Sequence, residues 1–146
     1  MQEVKRVLAL DVGDKTIGLA LSDLLGMTAQ GLETMRRKSI KEDIKYLGEI
    51  IKTHDVGKIV IGLPKNMNGT EGERCEFVRS FAMKIDKAFA DVGITFWDER
   101  LTTVAAEKLL IEADVSRRKR KKVIDKMAAV NILQGFLDSL TMRGES

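Results

Sequence analysis

The sequence predicts an α/β protein: one mixed sheet, three antiparallel strands followed by parallel ones, with helices over its faces. Three observations lead there. Short runs rich in valine, isoleucine and leucine end at turn residues, apolar stripes recur every three or four residues in the segments between them, and the order along the chain is βββ, α, β, α, β, α, α.

Residues 4–12 and 16–23 are the first two strands, centred on Val7-Leu8-Ala9-Leu10 and Ile17-Gly18-Leu19-Ala20-Leu21. Gly13-Asp14-Lys15 joins them as a tight turn in which glycine tolerates a left-handed backbone, so the two pair as a hairpin. A third strand is expected over 31–37. Ser39 and Glu42 then stand at capping-box spacing before a helix carrying Ile44, Leu47 and Ile51 on one face. The β-branched run 58–64 is the fourth strand, stopped by Gly62 and by the only proline, and the loop KNMNG follows. Thr70 and Glu73 repeat the capping-box spacing before a stripe of Val78, Phe81, Ala82, Ile85 and Phe89, which Gly93 is expected to close. The fifth strand covers 94–100, a shorter helical pattern runs from about 103 to 113, and the last helix reaches about 140 after a basic run. No repeat or linker interrupts this order, so residues 1–146 read as a single domain.

With 44% apolar and 32% charged residues the chain has the composition of a soluble globular protein. No apolar run approaches the roughly 20 residues needed to cross a bilayer. The start passes straight into a strand pattern without a signal-peptide cleavage site, and the single cysteine, Cys75, fits a reducing compartment. A cytoplasmic protein is expected.

At three places carboxylates fall where apolar residues belong. Asp11 lies at the end of the first strand, Asp98 and Glu99 end the fifth, and Asp125 stands one turn ahead of Ala128 and Ala129, at the head of the last helix's core-facing stripe. Each has an ordinary reading alone: a turn aspartate, a strand-end acid, a first-turn aspartate favoured by the helix dipole. Together they say more. Strands running to one end of a sheet deliver Asp11 and Glu99 to neighbouring positions, and a helix packed on that sheet brings Asp125 alongside. Carboxylates grouped in this way repel one another unless a divalent cation joins them, and hard oxygen ligands suit magnesium or manganese. Such clusters serve two-metal phosphoryl chemistry.

Other chemistries fare worse. His54 is the only histidine, which excludes a histidine triad or a zinc site built on several histidines. Cys75 has no evident histidine partner and reads as packing. Neither a GxxxxGKS/T loop nor a GxGxxG turn is present.

Four stretches, LDVGDKTIGLALSD, GLPKNMNGTEG, DERLTT and RKRKKVIDKMAAVNILQGFLDSL, span nearly the whole chain. In that order they resemble the successive motifs of the YqgF family, also called RuvX or Holliday junction resolvase-like proteins. The resemblance implies a ribonuclease H-like fold with a mixed five-stranded sheet flanked by helices, as in the RuvC resolvases. It also implies a bacterial cytoplasmic nuclease assigned to 5′-end maturation of pre-16S ribosomal RNA. By motif, Asp11 takes the place of the first-strand acid, Glu99 that of the DER acid and Asp125 that of the last-helix acid. These would be the catalytic and metal-holding residues, with Mg2+ or Mn2+, two ions, as cofactor. Asp98 stays a rival to Glu99, because strand alternation sends the two side chains to opposite faces. The family's first motif commonly reads GTKRIG, whereas Asp14 and Thr16 stand here for its threonine and arginine. Lys15, Gly18, Arg100, Thr102 and Thr103 are retained.

Net charge is +3, yet Arg117, Arg118, Lys119, Arg120, Lys121 and Lys122 are consecutive, and outside them 19 basic residues face 22 acidic ones. The basic character is therefore local. Six like charges repel unless a polyanion neutralises them, so this run, with Lys15 and Arg100, is the expected nucleic-acid-binding surface; the ordinary alternative is a solvated charge run. The loop 65–70 before a helix either holds a phosphate or is simply capped by Thr70. Aromatic residues make up only 5%, which favours recognition of backbone and shape over base stacking. The expected partner is structured RNA, a ribosomal RNA precursor, or branched DNA, with no membrane. A non-catalytic binding module of ribosome assembly or transcription is the competing class. LDVGDKT also resembles the phosphate loop of actin-like ATPases, but those need two such domains.

Overall fold

The computed structural model describes residues 5–101 and 117–142, with 117–126 described as helix backbone alone. Its elements are β1 (Arg6–Val12), β2 (Thr16–Ser22), β3 (Ala29–Gly31), β4 (Met35–Arg36), α1 (Ile40–His54), β5 (Val56–Leu63), α2 (Glu73–Ala88), β6 (Gly93–Asp98), a 3-10 turn (Glu99–Leu101) and α3 (Arg117–Met142). One mixed sheet runs β3-β2-β1-β5-β6, with β4 also paired to β2. β1 and β2 form the antiparallel hairpin, and β1, β5 and β6 are parallel. The helix expected over 103–113 lies outside the described residues, as do Thr102 and Thr103.

Strand alternation splits the core into two layers. Leu8, Leu10, Ile17, Leu19, Ile59 and Ile61 face α1 and α2, meeting Leu47, Val78, Phe81 and Ile85. Ala9, Ala20 and Val60 face α3, meeting Ala128, Ala129, Ile132, Leu133 and Phe136. Each fully buried leucine or isoleucine contributes about 1.5–3 kcal/mol relative to exposure. On the α3 side the sheet offers mostly small side chains, which lets a long helix lie close.

Several local expectations are corrected. The strand expected over 31–37 is two pieces, bringing the sheet to six strands. Gly31 pairs with Ala20 and Met35 with Ile17, so four steps on one chain face three on the other, a one-residue bulge. Gly13 is not left-handed; its constraint is space, since a Cβ would stand 2.9 Å from the Thr16 carbonyl oxygen. Ser39 caps α1 as expected, its Oγ accepting the Glu42 amide at 3.2 Å. Thr70 does not cap α2. Gly72 is the N-cap and makes no side-chain bond, while the Thr70 hydroxyl donates to Asn68 Oδ1 at 2.6 Å and accepts from Asn66 Nδ2 at 2.9 Å. The two asparagines compete successfully for the threonine. Gly93 opens β6 rather than closing α2, which ends when the Phe89 amide bonds Ile85 O at 2.9 Å. The basic run is not a separate segment but the first turns of α3, since arginine and lysine are good helix formers and no breaker lies between them.

A buried ion pair holds the α1 side together. Asp43, 2% exposed, sits one turn ahead of Leu47 on the inward face of α1. Its carboxylate accepts Arg37 Nε at 3.1 Å and the Lys38 amide at 3.0 Å. The Arg37 guanidinium lies over Phe81 at 4.7 Å and Phe77 at 5.5 Å. Arg37→Ala should lower unfolding free energy by about 3–5 kcal/mol, because it strands a buried carboxylate. The additional change Asp43→Leu should recover much of the loss. Chemical denaturation of the parent and both variants checks this; a loss below about 1 kcal/mol for Arg37→Ala would contradict it.

Candidate active site at the carboxyl end of the sheet

Asp11 lies near the end of β1, opposite Gly18 of β2. It is one step beyond the Leu10–Ile61 pair, which places it beside Gly62 of β5. Alternation puts it with Ala9 on the α3 face. It is half-buried, whereas its neighbours Leu10 and Val12 are buried. Glycines stand at the flanking positions of both neighbouring strands, Gly18 of β2 and Gly62 of β5. Glu99, also half-buried, opens the 3-10 turn after β6. A Cβ on Gly62 would meet Glu99 Cγ and Cδ at 3.3 Å and Ile132 Cδ1 at 2.5 Å. Gly62 is thus a shared floor, with Asp11 beside it, Glu99 over it and α3 across it.

The two rival acids separate. Asp98 is taken up by Arg100, with Nη2 to Oδ2 at 2.7 Å, Nε to both oxygens at 3.1 Å and the Arg100 amide to Oδ1 at 2.9 Å. The Arg100 side chain, helped by that amide, holds the Asp98 carboxyl below its ordinary 3.8. Arg100 Nη1 also donates to Met67 O at 3.2 Å, and the guanidinium packs on Gly69, a left-handed residue at φ +88°. Arg100, expected at the nucleic-acid surface, therefore ties the end of β6 to the 66–70 loop.

Two arginines that sequence reasoning missed fasten the hairpin that follows Asp11. Arg74 Nη2 donates to Val12 O at 3.1 Å and its Nη1 to Asp14 Oδ1 at 2.9 Å; Arg37 Nη1 donates to Gly13 O at 3.0 Å. The Arg37 amide also reaches Lys15 O at 2.8 Å, and the Arg74 guanidinium shares the Phe77 ring at 4.7 Å. The signal was available: Asp43 stands one turn ahead of a buried stripe, the same pattern that singled out Asp125. Lys15, at the hairpin tip, is exposed.

Helix α3 packs chiefly on β2 and β1 and also reaches β3 and β5. Ile132 lies at Gly62 near the end of β5, and the Phe136 ring receives Lys58 Nζ, from the start of β5, at 5.6 Å. The backbone at position 125 is therefore about 10 Å ahead of Ile132, toward the acid end, and positions 117–122 extend about 15–22 Å ahead of it. The side chains of Asp125 and of the basic run lie outside the described residues. Among the described residues, no group of three acids, histidines or cysteines could hold a metal ion. Asp11 and Glu99 supply hard oxygen donors on one face and fit magnesium or manganese in kind. The N-terminus of α2, entertained as a phosphate site, carries Glu73 and Glu76 in its first turn, and Glu71 beside it is paired to Arg79 at 2.7 Å. Those carboxylates oppose an anion.

The family model described as "RuvX: Holliday junction resolvase" matches residues 5–139. Relatives named "Putative pre-16S rRNA nuclease" include one from Desulforamulus reducens, 62% identical over 92% of this chain and 97% of its own length. Another, from Bacillus subtilis, is 58% identical over 92% of this chain and 99% of its own length. Among solved structures, Thermus thermophilus RuvC in complex with a Holliday junction substrate superposes with a TM-score of 0.58 at 11% identity, covering 94% of this chain and 96% of that one. Fowlpox virus resolvase with Holliday junction DNA gives 0.56 at 11% identity, covering 92% and 98%. These two share the fold, the ribonuclease H-like arrangement that the motifs imply.

Two outcomes are expected from this geometry. Gly62→Ala drives a methyl into Ile132 and the Glu99 stem, and should cost about 1–3 kcal/mol in chemical denaturation. Asp98→Asn should destabilise at neutral pH. Because the folded carboxyl titrates below 3.8, its contribution is complete above that pH and vanishes as pH falls through the lowered value. The gap between parent and variant should therefore close on acidification below 3.8, as read by thermal unfolding across pH.

Proposed function

This chain belongs to the RuvX family, and on that premise we propose that it is a divalent-metal-dependent nuclease hydrolysing phosphodiester bonds, acting in the cytoplasm on the 5′ end of pre-16S ribosomal RNA. The observation that carries the reading is the convergence of Asp11 and Glu99 on Gly62, at the carboxyl end of the sheet and on the face where α3 arrives. Asp125 completes the set as the acid that α3 brings to that end. Mg2+ or Mn2+ held by Asp11, Glu99 and Asp125 would supply Lewis acidity and lower the pKa of an attacking water.

The chain's own residues supply positioning. The β1–β2 hairpin, held by Arg37 and Arg74, fixes the strand end that carries Asp11. The Asp98–Arg100 link fixes the turn that carries Glu99. Arg117 to Lys122, with Lys15, attract and hold the phosphate backbone. No helix among the described residues is long and apolar enough to cross a membrane. Branched DNA is the second substrate reading, favoured by the family description itself.

Cleavage assays with magnesium on a pre-16S RNA fragment and on a four-way DNA junction test the proposal. The RNA should be cut, chelation should stop it, and Asp11→Asn, Glu99→Gln and Asp125→Asn should each reduce the rate on the order of 10³-fold. Asp98→Asn should reduce it less, since Asp98 acts through Arg100. Unchanged cleavage in all three acid variants would sink the assignment, and cutting of the junction alone would move the substrate to DNA.

A further inference from the structure

On the other side of the β1–β2 hairpin from the acids lies a cleft of ≈ 490 Å³, walled by the hairpin tip, β4 and the start of α1. Its charges are unevenly matched. Asp43 is occupied by Arg37, with side-chain exposures of 3% and 11%, and Asp14 by Arg74 at 2.9 Å. That leaves Lys15, Arg36 and Lys38 around the cleft, all exposed and none in an ion pair among the described residues. The backbone enforces their grouping. Arg36 pairs with Thr16, directly after Lys15, and Lys38 follows Arg37, whose guanidinium is turned to Asp43, so the three cations line one cleft. The buried Arg37–Asp43 pair makes a fixed floor.

Position relative to the acids gives this cleft a meaning. Asp11 pairs with Gly18 of β2, and Arg36 pairs with Thr16, two residues nearer the sheet end. Two strand spacings and two residues put Arg36 about 12 Å from Asp11 along the sheet. A nucleic-acid strand rising roughly 3.4 Å per nucleotide covers that distance in about four nucleotides.

We propose that Lys15, Arg36 and Lys38 form a second phosphate-binding station, which takes the backbone of the same nucleic acid a few nucleotides from the bond at the acid site. The strand crosses the hairpin tip between the two. Cations in a concave wall hold phosphate without reading bases, so the station sets register and orientation rather than sequence. The inference rests on the nuclease reading only for the identity of the polyanion.

The test is binding without metal. A fluorescently labelled four-way DNA junction and a labelled RNA hairpin with a single-stranded 5′ extension are titrated with parent and with Arg36→Ala/Lys38→Ala in chelator, between about 50 and 200 mM salt. The double variant should bind on the order of 10-fold more weakly, and its plot of log affinity against log salt should be shallower by about 2. Its thermal midpoint should match the parent, as both side chains are exposed. Lys87→Ala, which removes a cation at the far end of α2, should leave the slope unchanged. Unaltered slope in the double variant overturns the proposal, as does an equal loss with Lys87→Ala or a parent that binds neither probe. Millimolar inorganic phosphate at constant ionic strength should not displace the probes; displacement that the double variant abolishes would assign the cleft to the free anion instead. A parent that binds normally but never cleaves would remove the nuclease reading and leave this result standing.

Discussion

The arrangement at the carboxyl end of the sheet depends on a missing side chain. At Gly62 an added Cβ would be 2.5 Å from Ile132 Cδ1, well inside contact distance, so α3 sits where it does because β5 carries no side chain there. Ala9 and Ala20 continue the same shallow surface across β1 and β2. A helix seated that low lies directly on the strand ends, with Ile132 at Gly62. The same vacancy gives Glu99 somewhere to lie. One residue of the smallest size therefore couples helix packing to the placement of two acids from different strands.

The two faces of the sheet divide the work. Toward α1 and α2 the side chains are large, and the polar groups there are tied down: Asp43 by Arg37, and the carbonyls of Val12 and Gly13 by Arg37 and Arg74. Toward α3 the side chains are small and the acids are half-buried. Alternation explains why adjacent residues of the DER stretch part company. Asp98 ends β6 and serves Arg100, while Glu99 continues on the α3 side in the 3-10 turn. A rigid face behind and an accessible face in front suit a site that must hold carboxylates in fixed relation while admitting a polymer.

Much of this was legible in the sequence, because the strands and helices follow from apolar periodicity. The stripe of Val78, Phe81, Ala82 and Ile85 is buried, as are Ala128, Ala129, Ile132, Leu133 and Phe136, and Ser39 caps where its spacing says it should. What stayed hidden depends on competition or on tertiary space. Thr70 had the spacing of a cap but was taken by Asn66 and Asn68. Gly13 looked like a left-handed turn residue, but its need is room beside Thr16 O. The bulge between β3 and β4 is set by pairing with β2 and leaves no periodic mark. Gly62 read as a strand terminator, since nothing local reveals that an isoleucine seventy residues away presses on it.

Asp43 and Asp125 have the same sequence signature, an acid one turn ahead of a buried helical stripe, and so the signature alone does not distinguish structure from chemistry. What distinguishes them is what the chain places nearby. Asp43 is preceded by Arg37, which is only six residues away and already inside, so its charge is neutralised locally and the residue is 2% exposed. Asp125 follows six consecutive cations in the sequence, all on the first turns of α3. An acid answered by a buried arginine is a brace. Acids set beside a run of cations would instead suit a site, because an approach that concentrates a phosphate backbone also brings it to the carboxylates.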